Sequence, residues 1–172
     1  KDGKRIQPNA GLGDVKFLDL NGDGSIDGDD RVYLGSAMPD FTYGFSGSFA
    51  YKGFDLNLFL QGSYGAEIVN GMYNTLHSTD MLEYSVCRDM LNRWTTDNPY
   101  SNTPRLHASD PNKNTQFSDL YVENGSYLRI KNIQLGYTLP NTLTQKWHIN
   151  NLRVYVSADN VYTFTKYSGF DP

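Results

Sequence analysis

Phe41-Thr42-Tyr43-Gly44-Phe45-Ser46-Gly47-Ser48-Phe49-Ala50-Tyr51 decides the fold, together with Lys52-Gly53 and the run Phe54-Asp55-Leu56-Asn57-Leu58-Phe59-Leu60-Gln61 that follows. In the first run Phe41, Tyr43, Phe45, Gly47, Phe49 and Tyr51 alternate strictly with Thr42, Gly44, Ser46, Ser48 and Ala50. A period of two belongs to a strand, because successive Cβ atoms point to opposite sides of a sheet. The second run repeats the pattern, with Phe54, Leu56, Leu58 and Leu60 on one face and Asp55, Asn57, Phe59 and Gln61 on the other. Two such runs joined by a two-residue turn containing Gly make a β-hairpin over residues 41–62. Each run has about the 9–11 residues that a tilted strand needs to cross a bilayer.

Working outward, alternation returns at Ser126 to Leu139. Leu128 and Ile130 share a face, and after a one-residue slip at Asn132 so do Ile133, Leu135, Tyr137 and Leu139. Such a slip predicts a β-bulge, where one extra residue enters a strand. Beyond a linker from Pro140 to Asn151, Leu152, Val154, Val156 and Ala158 alternate with Arg153, Tyr155, Ser157 and Asp159, which predicts a second hairpin over residues 121–165. Residues 63–120 collect Asn, Ser, Thr, Asp and Pro and read as a long loop, with a short helix expected from Met81 to Leu91. The fold class is therefore all-β, antiparallel hairpins with one long connection.

Composition agrees: of 172 residues 14% are aromatic, with 13 Tyr, 9 Phe and 16 Gly, which favours strands and turns. The formal net charge of -4 with interspersed signs excludes an electrostatic surface built for nucleic acid. The single cysteine, Cys87, excludes an intrachain disulfide framework, and a cysteine-based zinc cluster is not expected. No run approaches the roughly 20 apolar residues of a membrane helix, and no apolar segment follows the basic N-terminus as in a signal peptide. A membrane β-barrel remains open, because its strands alternate and keep mean hydropathy low, here -0.56. The short, long and moderately short connections match the periplasmic turns and extracellular loops of such a barrel. On that pattern residues 1–40, residues 63–120 and the tail 166–172 are extracellular, and Pro140 to Asn151 is periplasmic.

The densest local motif is Asp19-Leu20-Asn21-Gly22-Asp23-Gly24-Ser25-Ile26-Asp27-Gly28-Asp29-Asp30. Asp19, Asn21, Asp23, Asp27 and Asp30 bring side-chain oxygens, Gly24 allows a sharp turn, and Ser25 offers its carbonyl; many hard oxygens in one loop suit calcium. Asp30 replaces the longer Glu of an EF-hand, and the flanks Val15-Lys16-Phe17-Leu18 and Val32-Tyr33-Leu34 read as strands. The expectation is a calcium loop outside a helix-loop-helix frame.

The ordered series Asp19-Leu20-Asn21-Gly22-Asp23-Gly24, Gly35-Ser36-Ala37-Met38-Pro39-Asp40-Phe41, Tyr51-Lys52-Gly53-Phe54-Asp55-Leu56, Arg93-Trp94-Thr95, Pro104-Arg105-Leu106, Gly125-Ser126-Tyr127-Leu128-Arg129-Ile130 and Leu152-Arg153-Val154-Tyr155-Val156-Ser157-Ala158-Asp159-Asn160 resembles the later barrel segments of SusC/RagA-type TonB-linked receptors. The resemblance covers nearly all of the chain from Gly13 onward. It implies a TonB-dependent transporter of the outer membrane of Bacteroidota-type bacteria, which imports oligosaccharides or peptides together with a SusD-like surface lipoprotein. Nothing matches the plug domain or the segment that contacts the TonB complex, and the final barrel strands are absent. Four strands stand against the roughly 22 of a large plugged transporter, so the chain is expected to be one part of a barrel.

Trp94 is a weak candidate for stacking on a sugar ring of the cargo; aromatic residues in such proteins more often pack or form interfacial girdles. His77, His107 and His148 fall in different segments without metal-ligand spacing and read as surface histidines. Carboxylates gather only in the acidic loop, and no nucleophile stands beside a base, so an enzyme is not expected. The alternative is a secreted, soluble β-rich module that binds calcium and acts in adhesion or carbohydrate recognition. A soluble sandwich would bury the apolar strand faces, whereas a barrel wall leaves them bare for lipid.

Overall fold

The computed structural model describes residues 5–77 and 85–172. In chain order its elements are β1 (Phe41–Tyr51), β2 (Phe54–Tyr64), β3 (Glu67–Val69), α1 (Gly71–Leu76), β4 (Val122–Asn124), β5 (Tyr127–Thr138), α2 (Asn141–Thr144) and β6 (Arg153–Thr165). The long strands form one antiparallel sheet in the order β1-β2-β5-β6, and β3 pairs with β4. Both hairpins read from the alternation are thus present, side by side in a meander.

Register follows the apolar pattern. Phe45 faces Leu60 and Phe49 faces Leu56 across β1 and β2. Leu56 faces Leu135 and Leu58 faces Ile133 across β2 and β5, and Leu135 faces Val156 across β5 and β6. Directly opposed residues share a face, so a slip of one position would send every apolar side chain to the polar side. Lys52 at φ 48° and Gly53 at φ 87° turn β1 into β2, the paired positive φ values of a type I′ turn, whose twist matches the flanking strands.

The slip expected at Asn132 is a bulge. Leu60 pairs with Ile130 and Phe59 with Asn132, which leaves Lys131 extra. On the other side Ile130 pairs with Tyr162 and Asn132 with Asp159, so Asn160 and Val161 are passed over. Asn160 takes φ 50°, and its Oδ1 accepts from Lys131 Nζ at 2.8 Å.

The described residues between 63 and 120 are more ordered than a plain loop. They hold β3, α1, and 3-10 turns at Arg88–Asn92 and Asp119–Tyr121. Asn70 caps α1, its side-chain oxygen accepting from Tyr73 N at 2.8 Å. Of the helix expected from Met81 to Leu91, Met81 to Tyr84 lie outside the described residues, and the rest contains only the 3-10 turn. The linker after Pro140 likewise contains α2 and a 3-10 turn at Gln145–Trp147.

The chain divides into two compact units, Lys1–Leu34 with Val69–Val122, and Gly35–Ile68 with Glu123–Pro172. The first is held by polar groups. Arg105 Nε and Nη2 each donate at 2.7 Å to the two oxygens of Asp14, whose side chain is 1% exposed. Asn114 Nδ2 and Gly11 N complete that carboxylate, at 2.9 and 2.8 Å. Asn112 and Gln7 both donate to the Val15 carbonyl, and Tyr121 Oη donates to the Asn114 carbonyl. The second unit is the four-stranded sheet with its borders. Among the described residues only Ala66, Met90 and Tyr121 are buried apolar side chains, so neither unit holds an apolar core of ordinary size.

Candidate functional site

The largest functional surface is the sheet itself, whose two faces differ in chemistry. On the polar face Ser48 Oγ donates to Asn57 Oδ1 at 2.7 Å, and Asn57 Nδ2 donates to Gln134 Oε1 at 3.3 Å. Arg153 grips Asp55 across Gly136, with Nε to Oδ1 at 2.9 Å and Nη2 to Oδ2 at 2.5 Å. Asn132 donates to Asp159 at 2.7 Å and Arg129 to Thr163 at 2.9 Å. Except for Asp55 and Arg153, which reach each other over β5, these partners sit on neighbouring strands at matching positions, which is how cross-strand polar pairs are built.

The apolar face carries nothing of this kind. Leu56, Leu58 and Leu60 of β2, Ile130, Ile133 and Leu135 of β5, and Val156 and Ala158 of β6 form its middle. Aromatic rings gather at both ends. Phe41 stacks on Tyr64 with centroids 5.4 Å apart, and Tyr162 meets Phe164 edge-on at 4.7 Å. At the opposite end Phe54 lies 4.5 Å from Tyr137. The face is uncovered: Phe49 is 66% exposed and Val156 67%.

In the acidic loop each expected side chain is engaged by backbone N–H groups. Asp19 accepts from Gly22 N and Gly24 N at 2.7 and 2.9 Å, Asn21 from Asp23 N, and Asp23 from Ser25 N. Asp27 accepts from Asp29 N and caps the 3-10 turn Gly28–Asp30. Asp30 closes the loop, accepting from Leu20 N at 2.8 Å and Asp27 N at 2.9 Å. The Asp27 amide first, and the Leu20 amide next, hold the Asp30 carboxyl below its ordinary range. The loop's carboxylates do not gather in threes within 4.8 Å of one another; among the described residues such a gathering occurs elsewhere. Each oxygen keeps a second lone pair, and the donor set is all oxygen, which fits a hard cation.

Trp94 packs its indole over Gly13, where an added Cβ would collide with the ring, and one edge borders a cleft of about 370 Å³ with Asp14, Ser101, Asn102 and Asp119. Packing against a loop glycine is its evident structural work. The described residues also bring together His77, Cys87 and Asp89, whose donor atoms lie within 4.8 Å of one another. His77 is thus half-buried beside two other polar donors rather than set apart at the surface, and Cys87 is a free thiol.

No family model matches the chain. TonB-dependent receptor P3 of Formosa agariphila is 40% identical over 156 residues, covering 91% of this chain and 15% of that protein. TonB-dependent receptor SusC of Bacteroides thetaiotaomicron is 30% identical over 163 residues, covering 91% of this chain and 15% of that protein. The structure of the RagAB peptide importer in its closed-closed state superposes with a TM-score of 0.71 at 32% identity, over 87% of this chain and 17% of the matched one.

The chain belongs to the SusC/RagA-type TonB-dependent receptors. It spans about 15% of the length of the curated relatives it matches. Its antiparallel sheet is the barrel-wall part of such a receptor, and the soluble secreted module gives way to that membership. Those relatives are receptors and transporters, which supports reading the receptor as a non-enzyme. Two features of this receptor segment escaped sequence reasoning. The Asp55–Arg153 pair was signalled only by opposite charges at polar-face positions of β2 and β6, and the donor cluster only by His77, Cys87 and Asp89 in one polar segment.

Proposed function

We propose that this chain forms part of the barrel wall of an outer-membrane importer that takes up oligosaccharides or peptides with a SusD-like surface lipoprotein. Energy would come through the TonB complex, contacted by parts of the receptor outside this sequence. In this reading the apolar sheet face meets outer-membrane lipid and the polar face meets the water-filled lumen. The observation that carries it is the uncovered apolar face with aromatic rings at both ends, the arrangement of membrane barrels. Strand length supports it: β1 and β2 have 11 residues each, and at about 3.4 Å per residue and a tilt near 45° such strands rise about 26 Å, close to the apolar band of these barrels.

The test compares neighbours on opposite faces in the full-length receptor. Leu56→Asp puts a charge on the lipid side, at a cost of up to a few kcal/mol near the midplane, and folded receptor in the outer membrane should fall sharply. Asn57→Asp faces the lumen and should leave that amount near wild type. Equal tolerance of both would sink the assignment of faces.

The acidic loop is proposed to hold calcium through Asp19, Asn21, Asp23, Asp27, Asp30 and the Ser25 carbonyl. Calorimetric titration of the full-length receptor with calcium should show a binding heat that Asp19→Ala combined with Asp23→Ala removes. A heat unchanged by the double substitution, or none in the wild type, would remove calcium from this loop.

A further inference from the structure

We propose that His77, Cys87 and Asp89 bind a zinc ion as a three-residue site that ties the end of α1 to the 3-10 turn at Arg88–Asn92. The donors are an imidazole, a thiol and a carboxylate, with atoms all within 4.8 Å of one another, His77 and Cys87 half-buried and Asp89 exposed. In a tetrahedral zinc site such atoms stand about 3.3–3.8 Å apart, so contraction by about an ångström, within reach of side-chain rotation, closes the set. A thiolate and an imidazole select a borderline-soft ion over calcium or magnesium.

Two features prepare the site before any ion arrives. Cys87 N donates to the Leu76 carbonyl at 3.0 Å, which fixes the cysteine beside the last turn of α1. His77 Nδ1 lies 2.9 Å from the Tyr73 carbonyl and its ring stacks on Tyr73 with centroids 3.8 Å apart. A nitrogen facing a carbonyl must carry the proton, so the lone pair sits on Nε2, and the carbonyl holds the ring as the outer partner of a ligating histidine does. Neither the Cys87 sulfur nor the Asp89 carboxylate has a hydrogen-bond or ion-pair partner among the described residues.

Charge balances as well. Binding releases the Cys87 proton to solvent, and one thiolate with one carboxylate neutralises a divalent ion. Three protein ligands leave a fourth position for water. The site staples a loop segment rather than supporting a reaction, and it stands whether or not the importer reading holds, because it needs only these three residues.

The experiment uses the full-length protein, stripped with a chelator and returned to micromolar zinc. Alkylation of Cys87, followed on its own peptide by mass spectrometry, should slow about tenfold or more with zinc and recover with chelator, since the coordinated thiolate is no longer free to attack. Calcium should give no protection. Cobalt(II) in place of zinc should show a thiolate charge-transfer band that Cys87→Ser abolishes, and His77→Gln should lower zinc content by one equivalent. Identical alkylation rates with and without zinc would overturn the proposal, as would a cobalt spectrum unchanged in Cys87→Ser. The alkylation arm uses wild-type protein alone, so it decides the matter even where a variant fails to fold.

Discussion

Asp14 and Arg105 stand ninety-one positions apart in sequence and meet in a two-pronged pair, the carboxylate side chain 1% exposed. Burial pushes the Asp14 carboxyl up, but the Arg105 hydrogen bonds, then those from Asn114 and Gly11, and the Arg105 charge outweigh it, so its pKa lies below the ordinary 3.8. A group depressed in the folded state contributes stability above its unfolded pKa and loses it as pH falls through the folded value. Hydrogen-exchange protection at Val15 N, bonded to Asn114, and at Arg105 N, bonded to the Gly13 carbonyl, should therefore hold from neutral pH down to about pH 4 and then decline. Asp14→Asn should flatten that pH response and lower protection at neutral pH by about 1–2 kcal/mol, because the half-buried Arg105 guanidinium loses its counter-charge and two charge-assisted hydrogen bonds weaken. Wild-type protection that stays level through pH 3 would remove the pair from this role. Nothing in the sequence announced the pair, since a single Asp and a single Arg so far apart carry no periodic signal. The same distance hid Trp94 on Gly13 and Asn112 on Val15.

Elements were legible to the degree that one face repeated. In β1, β2, β5 and β6 the period-two alternation set both the strand and its register, because only one register keeps Leu56 beside Phe49 and Leu135. The Lys52-Gly53 turn was legible from its glycine, and the bulge from the slip at Asn132, since a face can change parity only if the strand gains or loses a residue. The passed-over pair Asn160 and Val161 was not legible, because skipping two residues leaves Tyr162 and Phe164 on the same parity as Val156 and Ala158 while the backbone departs from the ladder. The short β3, β4 and α1 were missed for a different reason. Three to six residues are too few for a period, and α1 is set by the Asn70 cap, with Asn70 N donating to the Tyr121 carbonyl at 2.8 Å, far along the chain. The acidic loop was legible as a turn in full, since Asx side chains bond the amides two and three positions on; which atoms an ion would gather is a separate matter that turn geometry does not decide.

Across the whole molecule, the sheet places its short connections at one end and its long ones at the other. Lys52-Gly53 joins β1 to β2 beside the Thr138–Arg153 pair, where β5 leads into β6. Tyr64, Tyr127 and Thr165 mark the opposite end, from which residues 65–126 and the tail after Thr165 depart and at which residues 1–40 enter β1. In an outer-membrane barrel the short turns lie in the periplasm and the long loops outside. An epitope inserted after Tyr100, which is 94% exposed, should then be stained by antibody on intact cells, while one inserted after Trp147, 60% exposed in the α2 connection, should be stained only after permeabilisation. Staining of the Trp147 epitope on intact cells, with none at Tyr100, would invert the topology. The orientation also fixes what the acidic loop would have to do. Residues 19–30 come before β1 in sequence, and under the proposed outward topology an ion there would be drawn from the medium, where calcium modules commonly work at about 10⁻⁴–10⁻³ M. A nanomolar calcium affinity at this loop would belong to a buffer inside a cell, and would argue against the same outward topology that the two epitopes read.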